Sequence, residues 1–505
     1  MKDLSLERPA LPREQNWRTP SMLEELDPTI ARSQDFLLSI QRPEGYWVGE
    51  LIVDVTLVAD MVAFYHWWGK VDPAWERKAV HHIFSKQLAE GGWNIYPNGP
   101  AEVNATIKAY LALKLAGVPE DDPRMLKARS VAYALGGVPR MNTFSKLYLA
   151  LIGLVEWRHV PTVPCEVLLI GKWFHVNFWE MSNWTRAMLV PLAIINHFRP
   201  TRPLKVSLDE LYPNGKRELE ETLRPRYFDF SLRNGFLWLD RLNKLAEWFA
   251  RQRIHPFRKR ALARAEEWML ERFEGSDGLA AIFPAILNSL IALIALGYPD
   301  DHPEVVRAHE ELKRLMHEDN HSVRIEPCTS PVWDTAIVGI CLRESGVSED
   351  HPKLVRATDW LIDREIRFAG DWIHKNPARV EPSGWAFEFN NKWNPDVDDT
   401  AMVLMALRLV PTNNPARRDA AVKRGLDWLL TFQCKDGGWA AFDKDCTKSI
   451  LEKVPFADHN AMQDPSCPDI TGRVLECLSW HGYRNTHPVV RRAIEYVKSH
   501  QLPEG

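Results

Sequence analysis

No Cys-x-x-Cys pair occurs anywhere in the 505 residues, and the seven cysteines, at 165, 328, 341, 434, 446, 467 and 477, are an odd number scattered singly. A disulfide framework and a structural zinc site are both excluded by that pattern, and a reducing compartment is expected. Charge of one sign is also lacking. With 63 Lys and Arg against 67 Asp and Glu, the net charge of -4 points to no polyanion, so nucleic acid is not an expected partner. The first residues, MKDLSLERPALPREQNW, hold no apolar core of the kind a signal peptide needs, and a cytoplasmic protein is expected. A long uninterrupted hydrophobic run is missing as well. The nearest approach is 279–298, LAAIFPAILNSLIALIALGY, broken by Pro284, Asn288 and Ser289. It reads as a buried helix started by Pro284 and stopped by Gly297 and Pro299, not as a membrane span.

What the chain does contain is repetition. Four helix ends share one pattern: Gly117-VPEDD-Pro123, Gly297-YPDDH-Pro303, Gly346-VSEDH-Pro352 and Gly482-YRNTH-Pro488. The glycine ends one helix and the proline opens the next. Eleven residues before three of these glycines stands a threonine, Thr106, Thr335 or Thr471, preceded closely by Asn104, Asp334 or Asp469. A second mark, Q-x-x-x-G-x-W, occurs at 41–47, 87–93 and 433–439, with degenerate forms after Phe273 and at Glu365 (EIRFAGDW). Each unit therefore reads as capped helix, Gly-Pro turn, second helix, Gly-Trp turn. Stacked helical hairpins of this kind make an open solenoid or a closed α/α barrel, and the long loops between units favour barrels.

One unit carries more acid than a cap needs. In NPDVDDTAMVLMAL, Asp399-Thr400 stands where Asp334-Thr335 stands in its own unit, so Asp399 is expected to cap the helix, while Asp396 and Asp398 exceed that task. On one reading the extra carboxylates merely complement the positive helix N-terminus. On the other, three carboxyls so close cannot all ionise, and one stays loaded with a proton near neutral pH. A cation is at hand, since Asp469 and Arg473, four apart in PDITGRVLECL, share a helix face; the bland alternative is a surface ion pair. An acid able to protonate a hydrocarbon double bond generates a carbocation, which an aromatic face stabilises by about 2 kcal/mol when desolvated. The chain's 21 Trp supply such faces, and Trp333, Trp385 and Phe387 lie next to the Asp334 cap or the aspartate triplet.

Through PDVDDTA, the Q-x-x-x-G-x-W repeats, SPVWDT, HPFR and GPAEVNATIKAY, the chain from about Phe36 onward resembles the bacterial squalene–hopene cyclases, within the triterpene cyclases. The D-C-T-A-E acid motif of oxidosqualene cyclases is absent. The resemblance implies an all-α fold of two α/α barrels in a dumbbell, with 1–50 and 329–505 forming the first barrel and 51–328 an inserted second. It implies Asp398 as proton donor to squalene, Asp396 and Asp399 as its neighbours, and Asp469 and Arg473 as tuners of its acidity, the Arg473 position being histidine in some members. Trp184, Trp333 and Phe387 match cavity-lining positions, and Phe442 falls where some members have tyrosine. No cofactor or metal is implied. The resemblance further implies docking on the cytoplasmic face of the membrane without spanning it, for which 235–250, GFLWLDRLNKLAEWFA, is the candidate face; the alternative for that stretch is a core helix. A homodimer is compatible with it. The end at QLPEG, a repeat stopped before its tryptophan, leads to the expectation of a truncated chain whose first barrel is incomplete, and of a second reading in which a non-catalytic remnant keeps the fold and at most binds polyprenoid lipid.

Overall fold

The computed structural model of the protein describes residues 20–251, 257–455 and 461–504. The N-terminal 1–19, His255 and Pro256 of the HPFR stretch, the side chains of 246–251, and Gly505 lie outside the described residues.

Helices carry the architecture, and the strands Met316–Glu318 and Val323–Ile325 form one small antiparallel ribbon. Local chemistry sets the helix ends as the sequence leads one to expect. Gly117, Gly297, Gly346 and Gly482 all adopt positive φ, between 78° and 101°, where a side chain is strained. Pro123, Pro303, Pro352 and Pro488 are each the first residue of the helix that follows. The apolar run near 279–298 folds as the helix Phe283–Leu296, buried almost throughout, with Pro284 in its first turn and Gly297 ending it in the left-handed conformation. Among the described residues no helix is long and apolar enough to cross a membrane.

The Gln-Gly-Trp mark proves to be a set of four hydrogen bonds. In the unit at 87–93, Gln87 Nε2 donates to Gly91 O within the turn at 2.8 Å and to Arg124 O on the next helix at 3.0 Å. The Trp93 indole N–H closes the end of the preceding helix at Ile83 O, 2.7 Å away, while its backbone N–H is received by the Thr106 hydroxyl at 3.1 Å. The same indole and threonine bonds recur for Trp47 with Leu37 and Thr335, Trp385 with Leu361 and Thr400, and Trp439 with Leu429 and Thr471. Gly91 must be glycine, because a Cβ there would lie 2.4 Å from the Lys127 side chain. The degenerate mark at Glu365 needs correcting. Its tryptophan is Trp385 and not Trp372: Ile366 N–H bonds Gly384 O just as Leu88 N–H bonds Gly92 O, so the turn is interrupted by an excursion over 367–383.

In the lobe around the core from Val55 to Cys328, the first lobe in chain order and the inserted second barrel of the expectation, the helices Thr56–Trp68, Val103–Leu115, Asn183–Phe198 and Phe283–Leu296 are buried on most sides and form the inner layer. Outer helices such as Pro303–Arg314 bury one stripe only, as amphipathic helices over a core do. In the second lobe Pro331–Glu344, Val397–Leu409 and Pro468–Trp480 pack side by side, with Pro352–Asp363, Pro415–Thr431 and Pro488–Ser499 outside them. This is the all-α, two-barrel layering expected. One core runs from Val55 to Cys328, a second from Val332 to Ala493, and a small third holds Trp47 against Leu342, Leu354, Ala357 and Val410. Leu451 and Met462 cross over, joining the first core although they lie late in the chain.

Candidate active site

The aspartate triplet opens the inner helix Val397–Leu409, and the cap differs from expectation. Asp396 holds the N-cap position in extended conformation, and its Oδ1 accepts the Asp399 N–H at 2.7 Å. Asp399 lies inside the first turn, because a capping carboxylate must precede the helix to reach back to its free amides. Both are buried at 3% exposure, the Asp399 carboxyl lies against that of Asp396, and one oxygen of each has no partner. Burial raises both: Asp396 reaches about 7, with hydrogen bonds from Asp399 opposing and the Asp398 charge adding, and Asp399 goes well above the ordinary carboxylate range with the Asp396 charge added. Two buried carboxyls in contact cannot both ionise, and a proton on one lets it donate to the other.

Asp398 points elsewhere. Its carboxyl pairs with the Arg473 guanidinium from the helix Pro468–Trp480, and the two side chains retain 25% and 29% exposure. Desolvation raises Asp398, the Arg473 guanidinium opposes the rise, and the charge of Asp469 adds to it. Asp469 is exposed and makes no ion pair among the described residues. The alternative of a surface Asp469–Arg473 pair does not form; Arg473 instead pairs with Asp398, a bridge between two neighbouring inner helices. Arg473 also lies over the Trp333 ring, 5.0 Å from its centroid, and Trp333 and Phe387 stand 6.3 Å apart, tilted by 41°.

Trp184 and Phe442 form a second aromatic pair, edge to face at 5.3 Å. It is tied to the acid helix through the backbone, since Val397 N–H bonds Ala441 O at 2.9 Å. Asn183 Nδ2 donates to Asn394 Oδ1 at 2.9 Å, two residues before Asp396. Asp443 fixes both rings: one oxygen accepts the Asn183 N–H at 2.7 Å, the other the buried Arg186 guanidinium at 3.1 Å. The sequence-expected residues Asp396, Asp398, Asp399, Arg473, Trp333 and Phe387 therefore meet at one helix start, with Trp184 and Phe442 joined to it by these links.

Several groups escaped sequence reasoning. Glu388, next to Phe387, is buried and raised to about 8 by desolvation. Its Oε2 accepts from Asn391 at 3.1 Å, Asn391 Oδ1 accepts from Asn394 at 2.7 Å, and the ladder ends at Asn183. The one available signal was a carboxylate between two phenylalanines in GWAFEF. An apolar cavity of about 520 Å³ was also missed, lined by Val163, Val167, Ile170, Leu189, Phe236 and Leu239 among others. Its wall includes one side of the helix Leu232–Arg251, the stretch singled out as a docking face. Leu239 at the cavity edge is itself exposed, as are Leu232, Leu242 and Leu245 of the same helix.

Comparison with known proteins agrees with this layout. Residues 30–321 match the squalene-hopene cyclase N-terminal domain and residues 329–505 the squalene-hopene cyclase C-terminal domain. The squalene–hopene cyclase of Alicyclobacillus acidocaldarius is 36% identical over 480 residues, covering 94% of this chain and 74% of that one. That of Zymomonas mobilis is 35% identical over 496 residues, covering 95% and 74%. The dammaradiene synthase of Dryopteris crassirhizoma is 38% identical over 491 residues, covering 95% and 71%. With both family domains matched in order and such relatives aligned along nearly its whole length, the chain belongs to the squalene–hopene cyclase family of triterpene cyclases.

Proposed function

We propose that this chain cyclises squalene or a related linear polyprene by proton initiation, with Asp398 as the acid. One observation carries the reading. Of the three clustered carboxyls Asp398 alone is partly accessible, and it pairs with the Arg473 guanidinium, which itself lies over the Trp333 ring beside Phe387. The Asp398 proton passes to the terminal alkene carbon, whose π pair forms the new C–H bond and leaves a tertiary cation. Arg473 holds the carboxylate left behind, and the Asp396–Asp399 pair shares the rest of the cluster's charge. Each following double bond attacks the cation, forms a C–C bond and passes the charge on, until the last cation loses a proton or takes up water to give hopene or hopanol. The faces of Trp333, Phe387, Trp184 and Phe442 stabilise the moving charge. Every step is acid–base or π chemistry, so no metal or cofactor is invoked. The names of the Alicyclobacillus and Zymomonas relatives support hopene; the name of the Dryopteris relative makes dammaradiene the alternative product.

The substrate is apolar and partitions into bilayers. Uptake is assigned to the exposed leucines of the helix Leu232–Arg251, docked on the cytoplasmic membrane face, since the same helix walls the apolar cavity. A second reading, a lipid binder without turnover, is favoured by the openness of the site, where Trp184 is 39% exposed and water can quench a cation. The two are separated by incubating the protein and its Asp398→Asn variant with squalene and analysing the extract by gas chromatography. Cyclised product from the first and none from the second supports the cyclase. Squalene bound by both with no product supports the second reading.

A further inference from the structure

We propose that the docking face selects a bilayer containing anionic phospholipid; the inference rests on the membrane docking proposed above and specifies the surface it needs. The apolar part of the face is larger than the helix. Phe228 and Phe230, in the segment leading into the helix Leu232–Arg251, are 93% and 94% exposed, and Phe228 is held outward at a φ of 69°, a conformation a bulky side chain rarely adopts. Three residues after the cavity-lining Ile170, Trp173 is 87% exposed. Exposed residues 232, 239, 242 and 245 fall within one sector of the helix that runs from the cavity edge at Leu239 outward, and Arg241 flanks it.

The charge around this surface runs opposite to that of the chain. Residues 224–260 contain ten Lys and Arg against three Asp and Glu, in a protein whose net charge is -4. Among the described residues of that stretch, Arg224, Arg226, Arg233, Arg241, Lys259 and Arg260 are exposed and Asp229 is the exposed acid. None of those six basic side chains is in an ion pair among the described residues. Arg224, Arg226 and Arg233 line one hollow with Arg140, Glu218, Glu221 and Asp229. Two of its acids are engaged, Glu218 with Arg140 at 3.9 Å and Asp229 with the Ser231 N–H at 2.9 Å. Guanidinium groups bordering exposed aromatic side chains match a layer in which phosphate esters lie just above acyl chains. A neutral zwitterionic surface would satisfy the aromatic side chains and leave the guanidinium groups without a net counter-charge.

The test is co-sedimentation of the full chain with vesicles of phosphatidylcholine alone or with about one third phosphatidylglycerol, at low and high salt. Each basic residue near an anionic surface contributes about fivefold in partitioning. The triple variant Arg224→Gln, Arg226→Gln, Arg233→Gln is therefore expected to lose about 100-fold on anionic vesicles and nothing on neutral ones, with an unchanged melting curve as the folding control. High salt should erase the preference of the parent protein. Equal partitioning of the parent to both vesicles overturns the headgroup inference and leaves the docking face standing. No partitioning to either overturns both. Replacing Phe228 and Phe230 by serine separates the two terms, because it should weaken binding to both vesicle types alike; loss on anionic vesicles only would place those rings outside the docking face and sink the inference.

Discussion

Two inner helices of the second lobe begin with the same repeat chemistry and spend their acids differently. At the start of Pro331–Glu344, Asp334 Oδ2 accepts the Gly49 N–H and the Ser330 hydroxyl, both at 2.8 Å, so its carboxylate is consumed in fastening the N-terminal segment to the lobe. At the start of Val397–Leu409, Asp396 performs the cap, Asp399 is buried against it, and Asp398 turns to a cation from the next inner helix. Thr335 and Thr400 do identical work for Trp47 and Trp385. The scaffold thus needs one hydroxyl per unit and no side-chain cap at Pro331–Glu344, so the acids of the second unit exceed what the repeat requires and are available for chemistry.

The comparison is broken most severely at Asp398. Asp398→Asn should lower cyclisation by more than about a thousandfold, because an amide delivers no proton, while the melting temperature stays within a few degrees, since the cap and the buried pair are untouched. Retained turnover would remove Asp398 from the acid role. Arg473→Ala should cost about 10- to 100-fold with the same product by gas chromatography. Without the guanidinium the Asp398 carboxyl rises further, so the alkaline limb of the pH–rate profile should move to higher pH while the plateau falls. A changed product would put Arg473 against the substrate instead.

A smaller effect concerns stability. Asp396 sits at about 7 in the folded protein and near the ordinary value of about 4 when unfolded, so between those values the folded state keeps a proton that the unfolded state has lost. Stability from this group is full below about pH 4, declines as the pH climbs toward about 7, and is level above. Asp464, raised to about 6, and Glu388, at about 8, act in the same direction. Thermal melts across that range should fall with pH, and Asp396→Asn, which keeps a capping side chain, should flatten part of the slope. The smallest expected effect is a symmetry: Thr335→Ala and Thr400→Ala should each cost about 1 kcal/mol of unfolding free energy, as loss of one buried hydrogen bond does. A much larger cost at Thr400 would show that the acid unit carries strain the other does not.

Legibility in the sequence followed how local each constraint is. Gly117, Gly297, Gly346 and Gly482, and the prolines after them, act through their own φ angles, so they marked helix ends correctly without any neighbour. The triplet 396–399 stood out because acids cluster within one turn. Which of them caps did not, since that depends on where the chain leaves extended conformation, at Asp396. Arg473 was picked out as a cation for the acid cluster, but that it pairs with Asp398 directly was not legible, because a pairing along one helix is visible in sequence and a pairing between helices is not. The Asn183–Asn394–Asn391–Glu388 ladder joins residues up to 211 apart and had no signal at all.

The bonds that hold the N-terminal segment also set a timetable for the ribosome. Gln41 bonds Lys353 O and Trp47 N–H bonds Thr335, partners 312 and 288 residues further along. At roughly 5 to 20 residues per second, about 15 to 60 s of synthesis separate the emergence of the helix Pro20–Ile40 from that of its seat. Through that interval the first lobe can fold behind it, and the amphipathic segment made first must wait to be docked last.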